Sequence, residues 1–318
     1  MSKSLVRSLV VFVLLVVASL SGFAKTYQIG ITQIVEHPAL DAAVDGFQQA
    51  LADAGITAKY DRQNAQGDMS MAMMIAQKFV SSKVDLILAV ATPTAQAVAN
   101  TTKDIPILIT AVTDPKAAGL VKSNQRSGTN VCGTSDLNPV DRQLALFKEI
   151  GRKINRIGVV YNAGEANSVI QVEMAKVEAK KLGFRIVEAP VSNSSEVYQA
   201  ALSLVGRVDA IYVPTDNTVV SAFESVAKIA ADYDLPLIPG EENGVPRGGF
   251  ATVGIDYYRL GYQTGEIAVD ILAGKVKPAD LPIQYQTDLK LVVNPKAAAA
   301  QGFSLPQSLL DQADVVIE

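Results

Sequence analysis

Polar side chains recur in this sequence directly after runs of apolar residues. Gln33, Glu36 and His37 follow the first run, Thr92, Pro93 and Thr94 the third, and Thr110, Thr113 and Asp114 the fourth. The second half offers Tyr161, Asn162, Glu165, Asn167 and Ser168, then Thr215, Asp216 and Asn217, then Glu241 and Glu242. Hydroxyls and free backbone amides hold a carboxylate, and a buried carboxylate holds an ammonium. Together such groups can capture a zwitterion such as an amino acid. Each position also reads as a helix cap: Thr94, Asn167, Ser168 and Asn217 are good N-cap types, and Asp114 and Asp216 share the ambiguity. No single residue settles the matter; the inference needs two sets of such loops facing one another.

Catalysis finds little here. His37 is the only histidine and Cys132 the only cysteine, which removes most zinc, iron–sulfur and disulfide chemistry. There is no G-x-G-x-x-G after a strand, no phosphate loop and no G-x-S-x-G elbow. The adjacent acids Glu241 and Glu242 read as splayed and solvated. The expectation is a protein that is no enzyme and has no catalytic residue, cofactor or metal.

The elements that place these loops have the pattern of an α/β fold, with strand-length apolar runs alternating with segments of helical period. Tyr27–Gln33 reads as a strand and Pro38 to Ala54 as a helix that proline opens. A strand near Thr57–Asp61, a helix over Met69–Ser81, a strand over Val84–Val90, a helix start at Thr94–Asn100 and a strand at Ile107–Thr110 follow. The second half repeats the order. Arg156–Asn162 matches Gln28–Ile34, Arg207–Val219 matches Lys83–Ala95, and Tyr233–Glu241 matches Lys103–Ala111, at offsets of about 124 to 130 residues. A helix from Pro139, then a short strand and long helix across Ala251–Leu272, and a strand at Lys290–Val293 are expected to cross between the halves and form a hinge. The first lobe is therefore expected over residues 25–132 with part of about 254–284, and the second over 133–253 with part of about 285–318.

Lys3 and Arg7, the apolar run Leu9–Leu20 and the small residues around Gly22-Phe23-Ala24 read as a cleavable export signal over residues 1–24. The run falls short of the ~20 apolar residues of a membrane span. No cysteine follows it, so no lipoprotein tether is expected. Removing residues 1–24 from 318 leaves 294, and removing Lys3 and Arg7 takes the net charge from −4 to −6. That acidity argues against a nucleic-acid partner, because phosphate binding needs clustered positive charge. The length suits two domains. A composition of 49% hydrophobic and 19% charged residues describes a packed globular protein. The expected product is periplasmic, monomeric and not inserted in a membrane.

The segments "ITQIVEHPALDAAVDGFQQALADAG", "QNAQGDMSMAMMIAQKFVSSKVDLILAVATPTAQAVAN" and "ITAVTDPKAAGLV" resemble the periplasmic solute-binding proteins of ATP-driven (ABC) importers. More narrowly, they resemble the branch assigned to tryptophan/tyrosine transport. "VVYNAGEANSV", "IYVPTDNTVVSAFESV" and "VGIDYYRLGYQTGEIAVDIL" continue the likeness, which covers the chain from Lys25 onward. The resemblance implies a type I periplasmic-binding fold, with two Rossmann-like lobes of parallel sheet, three crossovers and an aromatic amino acid held between them. It implies an ABC permease as partner. It implies Thr92, Thr94 and Thr113 for the ligand carboxylate and Asp216 for the ammonium, with Glu165 as rival. Gln33, His37, Tyr161 and Tyr257 would bound the side-chain pocket, beside Asn167, Ser168 and Asn217 from the second lobe's loops. A sensory module reporting to a chemoreceptor or kinase is the alternative, since both roles use the same closed shape.

Overall fold

The computed structural model describes residues 25–318, so the export signal expected over residues 1–24 lies outside the described residues. Strand β1 (Tyr27–Gln33) leads into helix α1 (Pro38–Asp53), whose proline sits in its first turn and whose Leu40, Val44, Phe47 and Leu51 form one buried stripe. Strand β2 (Ala58–Asn64) is followed by α2 (Met69–Ser81), opened by Asp68, whose carboxylate accepts the Met71 N–H at 2.8 Å. Then come β3 (Leu86–Val90), α3 (Thr92–Thr101), β4 (Ile107–Val112) and β5 (Val131–Ser135). Strands β3, β4 and β5 are buried along their whole length, as expected of parallel strands covered on both faces.

The chain then crosses to a second lobe. It comprises α4 (Val140–Glu149), β6 (Arg156–Asn162), α5 (Ala166–Leu182), β7 (Arg185–Val191), α6 (Val197–Ser203), β8 (Ala210–Val213), α7 (Asn217–Ser221), α8 (Phe223–Asp232) and β9 (Leu237–Pro239). The remaining elements are β10 (Ala251–Gly254), α9 (Tyr257–Leu272), β11 (Gln284–Tyr285), β12 (Lys290–Val293), α10 (Pro295–Ala300), α11 (Gln307–Gln312) and β13 (Val315–Val316).

The first sheet runs β11-β5-β4-β3-β1-β2 and the second β7-β6-β8-β9, each wholly parallel. A small sheet, β10-β12-β13, completes the second lobe. The segments paired in sequence occupy the same places in both sheets: β6 stands where β1 does, β8 where β3 does, and β9 where β4 does. Three connections join the lobes, after β5, between β10 and α9, and between β11 and β12. Ile255, Leu260, Ile267 and Ile283 sit in the core of the first lobe, while Val253, Val293, Ala298 and Leu309 sit in that of the second.

The first connection starts after Ser135 rather than at Cys132, because β5 stays paired with β4 from Val131 to Ser135. Only its first two residues are apolar, so hydropathy conceals the strand. The thiol of Cys132 is buried and pushed up to about 12 by that burial, which makes it an inert core side chain. Among the described residues, no helix is long and apolar enough to cross a membrane.

Candidate binding site between the lobes

The carboxyl ends of β1, β4 and β5 face those of β6, β8 and β9 across a small cavity. Parallel sheets gather ligands at these ends. From the first lobe come His37, Leu40, Ala111, Thr113, Asp136 and Tyr257; from the second come Asn167, Thr215, Asp216, Asn217, Val220 and Glu241. Ala111 holds φ +56° and lies where the β4–β5 register shifts, and Ala91, just before α3, holds φ +79°. Left-handed backbone at a residue with a Cβ costs about 1–3 kcal/mol and collects at functional sites.

Three buried acceptors in this cavity have no hydrogen-bond partner. One is Oδ1 of Asp136, whose Oδ2 accepts the Tyr257 hydroxyl at 2.8 Å. Another is Oε1 of Glu241. The third is Oδ1 of Asn167, whose amide nitrogen is committed to Glu165, Ser168 and the Thr215 carbonyl. An orphaned buried polar atom costs about 1–3 kcal/mol, so three together call for a cation carrying several N–H bonds. Burial pushes the Glu241 carboxyl up to about 8, with Arg247 opposing and Asp136 reinforcing the shift. Burial also raises Asp136, against the Tyr257 hydrogen bond. The expectation of splayed, solvated acids thus fails at Glu241, which is 2% exposed.

Asp216, the expected ammonium partner, lines the cavity but has both oxygens committed. Oδ1 accepts the Val219 N–H at 2.8 Å as the cap of α7, and Oδ2 accepts the Asn162 N–H at 2.5 Å. Its carboxyl is raised by burial and by the charge of Glu165. Glu165 likewise accepts from Thr218 N–H and hydroxyl and from Asn217 and Asn167. These acids fix the first turn of α7.

Of the residues expected at the site, His37, Thr113, Asn167, Asp216, Asn217 and Tyr257 meet at the cavity. Ser168 stands behind it, bearing on Asp216. Thr92 keeps a buried hydroxyl without a partner at the start of α3. Thr94 turns its hydroxyl back to the Val90 carbonyl at 2.6 Å. Gln33 is tied to Asp41 and Arg62, and Tyr161 donates to Glu188 at 2.7 Å, both away from the cavity.

Sequence reasoning missed Gln171 and Asp136. The Gln171 amide nitrogen donates to Thr113 of the first lobe at 3.2 Å and to the Thr215 hydroxyl of the second, while its oxygen accepts the Thr215 N–H at 3.1 Å. It therefore links the lobes. Its signal is spacing: Asn167 and Gln171 lie four apart on α5 and face the same way.

The buried acids set a pH dependence for the ligand-free protein. Glu241 ionises near 4.5 when unfolded and about 8 when folded, and Glu242 is pushed up to about 7, chiefly by burial. Between those values the folded form binds more protons, so these groups stabilise most at low pH, and that stability is lost as pH rises through about 8. His37, held down to about 3 by burial, acts oppositely, but only below about 6.5. The thermal midpoint of the ligand-free chain is therefore expected to fall between pH 6.5 and 8.5, by about 2 kcal/mol of stability for Glu241 alone. Calorimetric melting across that interval checks it, and a rising midpoint would contradict it.

The sequence profile of the family described as ABC transporter substrate binding protein matches residues 28–317. The chain belongs to that family. Family members bind substrates without transforming them, so the missing catalytic motifs agree with membership. The chain is 49% identical, over 85% of its length and 79% of the relative's, to a tyrosine-binding protein of Clostridioides difficile. Its structure superposes at TM-score 0.88 and 38% identity on an ABC domain in complex with L-Trp from Streptococcus pneumoniae, covering 92% of this chain and 100% of that one. Against the ligand-free, open structure of a substrate-binding protein with adhesive properties from Clostridium difficile, identity rises to 47% but TM-score falls to 0.69, with 92% and 99% covered. This substrate-binding protein stands with its lobes closed, consistent with the Gln171 link.

Proposed function

We propose that this substrate-binding protein captures an aromatic amino acid between its lobes outside the cytoplasmic membrane, in the periplasm, and delivers it to an ABC permease. The observation that carries the reading is the convergence of three unpartnered buried acceptors, Asp136, Glu241 and Asn167, in a cavity shared by both lobes. An α-ammonium supplies three N–H donors to such a set. Thr92, at the start of α3, has a buried hydroxyl without a partner and is the donor proposed for the α-carboxylate, while the Thr113 hydroxyl accepts from Gln171 and bears on the Asp136 carboxylate. Leu40, Ala111 and Val220 offer apolar surface for the ring. The tyrosine-binding relative and the L-Trp complex support the ligand class.

Capture requires opening, because the closed cavity has no wide mouth. The ligand then stabilises the closed form by its differential affinity for it. Titration calorimetry with L-tyrosine, L-tryptophan and L-phenylalanine, and with their analogues lacking the amino group, tests the proposal. Affinity near micromolar corresponds to about −8 kcal/mol. Removing the ammonium leaves the acceptors orphaned, so the des-amino analogues are expected to bind at least about 100-fold more weakly. Equal affinity for both series would overturn the reading.

A further inference from the structure

The second and third crossovers, between β10 and α9 and between β11 and β12, run side by side. On the second-lobe side they pair as sheet: β10 and β12 are antiparallel, and the pair nearest the first lobe is Gly254 with Lys290. Beyond it, one side chain takes over the pairing. Gln286 Oε1 accepts the Asp256 N–H at 3.2 Å, and Gln286 Nε2 donates to the Asp256 carbonyl at 2.7 Å. A side-chain amide carries both an acceptor and donors, so it satisfies both backbone groups of one residue as a neighbouring strand would.

Both ends of this staple adjoin the first lobe. Asp256 directly precedes α9, whose Leu260, Ile267 and Ile271 lie in the first lobe's core. Gln286 directly follows β11, which pairs with β5 through Gln284 and Tyr285. Gln263 of α9 also donates to Gln284 of β11, at 2.7 Å. The first crossover is pinned on the same side, because Asp136 Oδ2 accepts the hydroxyl of Tyr257, where α9 begins. Between these ties and the second lobe lie Leu137 to Pro139, Ile255, and Thr287 to Leu289. Leu289 packs against the cores of both lobes, as a residue on the boundary does. An ion pair from Arg259 of α9 reaches Asp288 at 2.8 Å, but its side chains are 56% and 72% exposed, so it resists bending little.

We infer that Gln286 is a positioning residue for ligand capture: by clamping Asp256 it joins the second and third crossovers into one band in the open and closed forms alike, and so confines the bend to Leu137–Pro139, Ile255 and Thr287–Leu289. The inference goes beyond the identity of the ligand and rests on the two-lobed build. A hinge confined to few residues has fewer arrangements to lose when the lobes close, so less conformational entropy opposes binding. Gln286 does not line the cavity, so changing it leaves the ligand contacts in place.

The test compares the native chain with Gln286→Met, which keeps the side chain's length without either hydrogen bond, and Gln286→Glu, which keeps only the acceptor. Amide hydrogen exchange reads the staple. The native Asp256 N–H is expected to stay protected with and without L-tyrosine or L-tryptophan, and to exchange at least about tenfold faster in Gln286→Met, with Gln286→Glu between. Spin labels on Ser70→Cys, next to Met69, and on Ser194→Cys read the hinge, because Met69 and Ser194 face one another across the cleft mouth and both serines are exposed. Cys132 is buried and stays unlabelled. In Gln286→Met the ligand-free distance distribution should broaden and amino-acid affinity should fall about threefold to tenfold, with the melting midpoint within about 3 °C of native. A native Asp256 N–H that exchanges as fast as the variant's whenever ligand is absent would show that the staple opens with the lobes, and would overturn the inference. So would an unchanged distance distribution or an unchanged affinity in Gln286→Met. Should neither amino acid bind the native chain, the ligand class falls, while exchange and distances in the ligand-free chain still decide the role of Gln286.

Discussion

The double variant Asp136→Asn/Glu241→Gln is expected to bind L-tyrosine or L-tryptophan at least about 100-fold more weakly than the native chain and yet to fold. Removing one side of a buried, hydrogen-bonded charge pair costs about 2–5 kcal/mol, and each 1.4 kcal/mol is roughly tenfold in affinity. Both carboxyls reach the cavity from fixed strand ends, and each leaves one oxygen without a partner. An amide keeps an acceptor oxygen but carries no charge, so what the variant loses is attraction to the ammonium. Folding should survive, because Glu241 is already neutral up to about pH 8 in the ligand-free protein. Glutamine resembles that protonated form in shape and polarity. The variant should therefore also melt with less dependence on pH between 6.5 and 8.5. Calorimetric affinity within threefold of native, in a variant with native circular dichroism, would remove these residues from the ammonium site.

The contrast between Asp216 and Asp136 shows where the sequence stops being legible. Each is an acid soon after a strand. Asp216 directly precedes α7 and lies three residues before Val219, so its carboxylate caps its own helix. Asp136 is separated from α4 by Leu137, Asn138 and Pro139, too far to cap it, and so keeps an oxygen for the cavity. Spacing to the next helix start separates the two roles, and that start was legible at Pro139.

Glu241 and Glu242 are harder. Glu241 is buried in a cavity that both lobes line, and Glu242 is half-buried beside β10, neither of which local pattern encodes. Elements with strong hydropathic period, such as α2 over Met69–Ser81 and β12 over Lys290–Val293, match their sequence expectations. Strand β5, ending Gly133-Thr134-Ser135, does not announce itself, because its polar residues are buried by pairing with β4. Strand β7, an edge strand with Pro190 within it, lacks an apolar run for the same reason that edges tolerate proline.

Gly261→Val is expected to destabilise the first lobe by about 3 kcal/mol or more, at the upper end of what overpacking does. Helices α1 and α9 cross with backbone nearly touching backbone. A Cβ built at Gly261 would lie 1.8 Å from the Ala43 carbonyl oxygen, and one at Gly46 would lie 2.0 Å from that of Tyr258. At Gly265, one turn further along α9, it would meet Ala50 Cβ at 2.6 Å and Phe47 O at 2.7 Å. The obstacle at Gly261 is main chain, which cannot swing aside as a side chain can, so the helices must separate. Separation opens the core around Phe47 and Leu260, both 0% exposed. It also disturbs the site, because α9 begins at Tyr257, whose hydroxyl holds Asp136. A fall in melting midpoint of about 6–12 °C follows from the usual scaling for a lobe of this size, together with weaker ligand binding. A midpoint within about 2 °C of native would show that the crossing has slack, and that the glycines are not what lets α9 return so closely against α1.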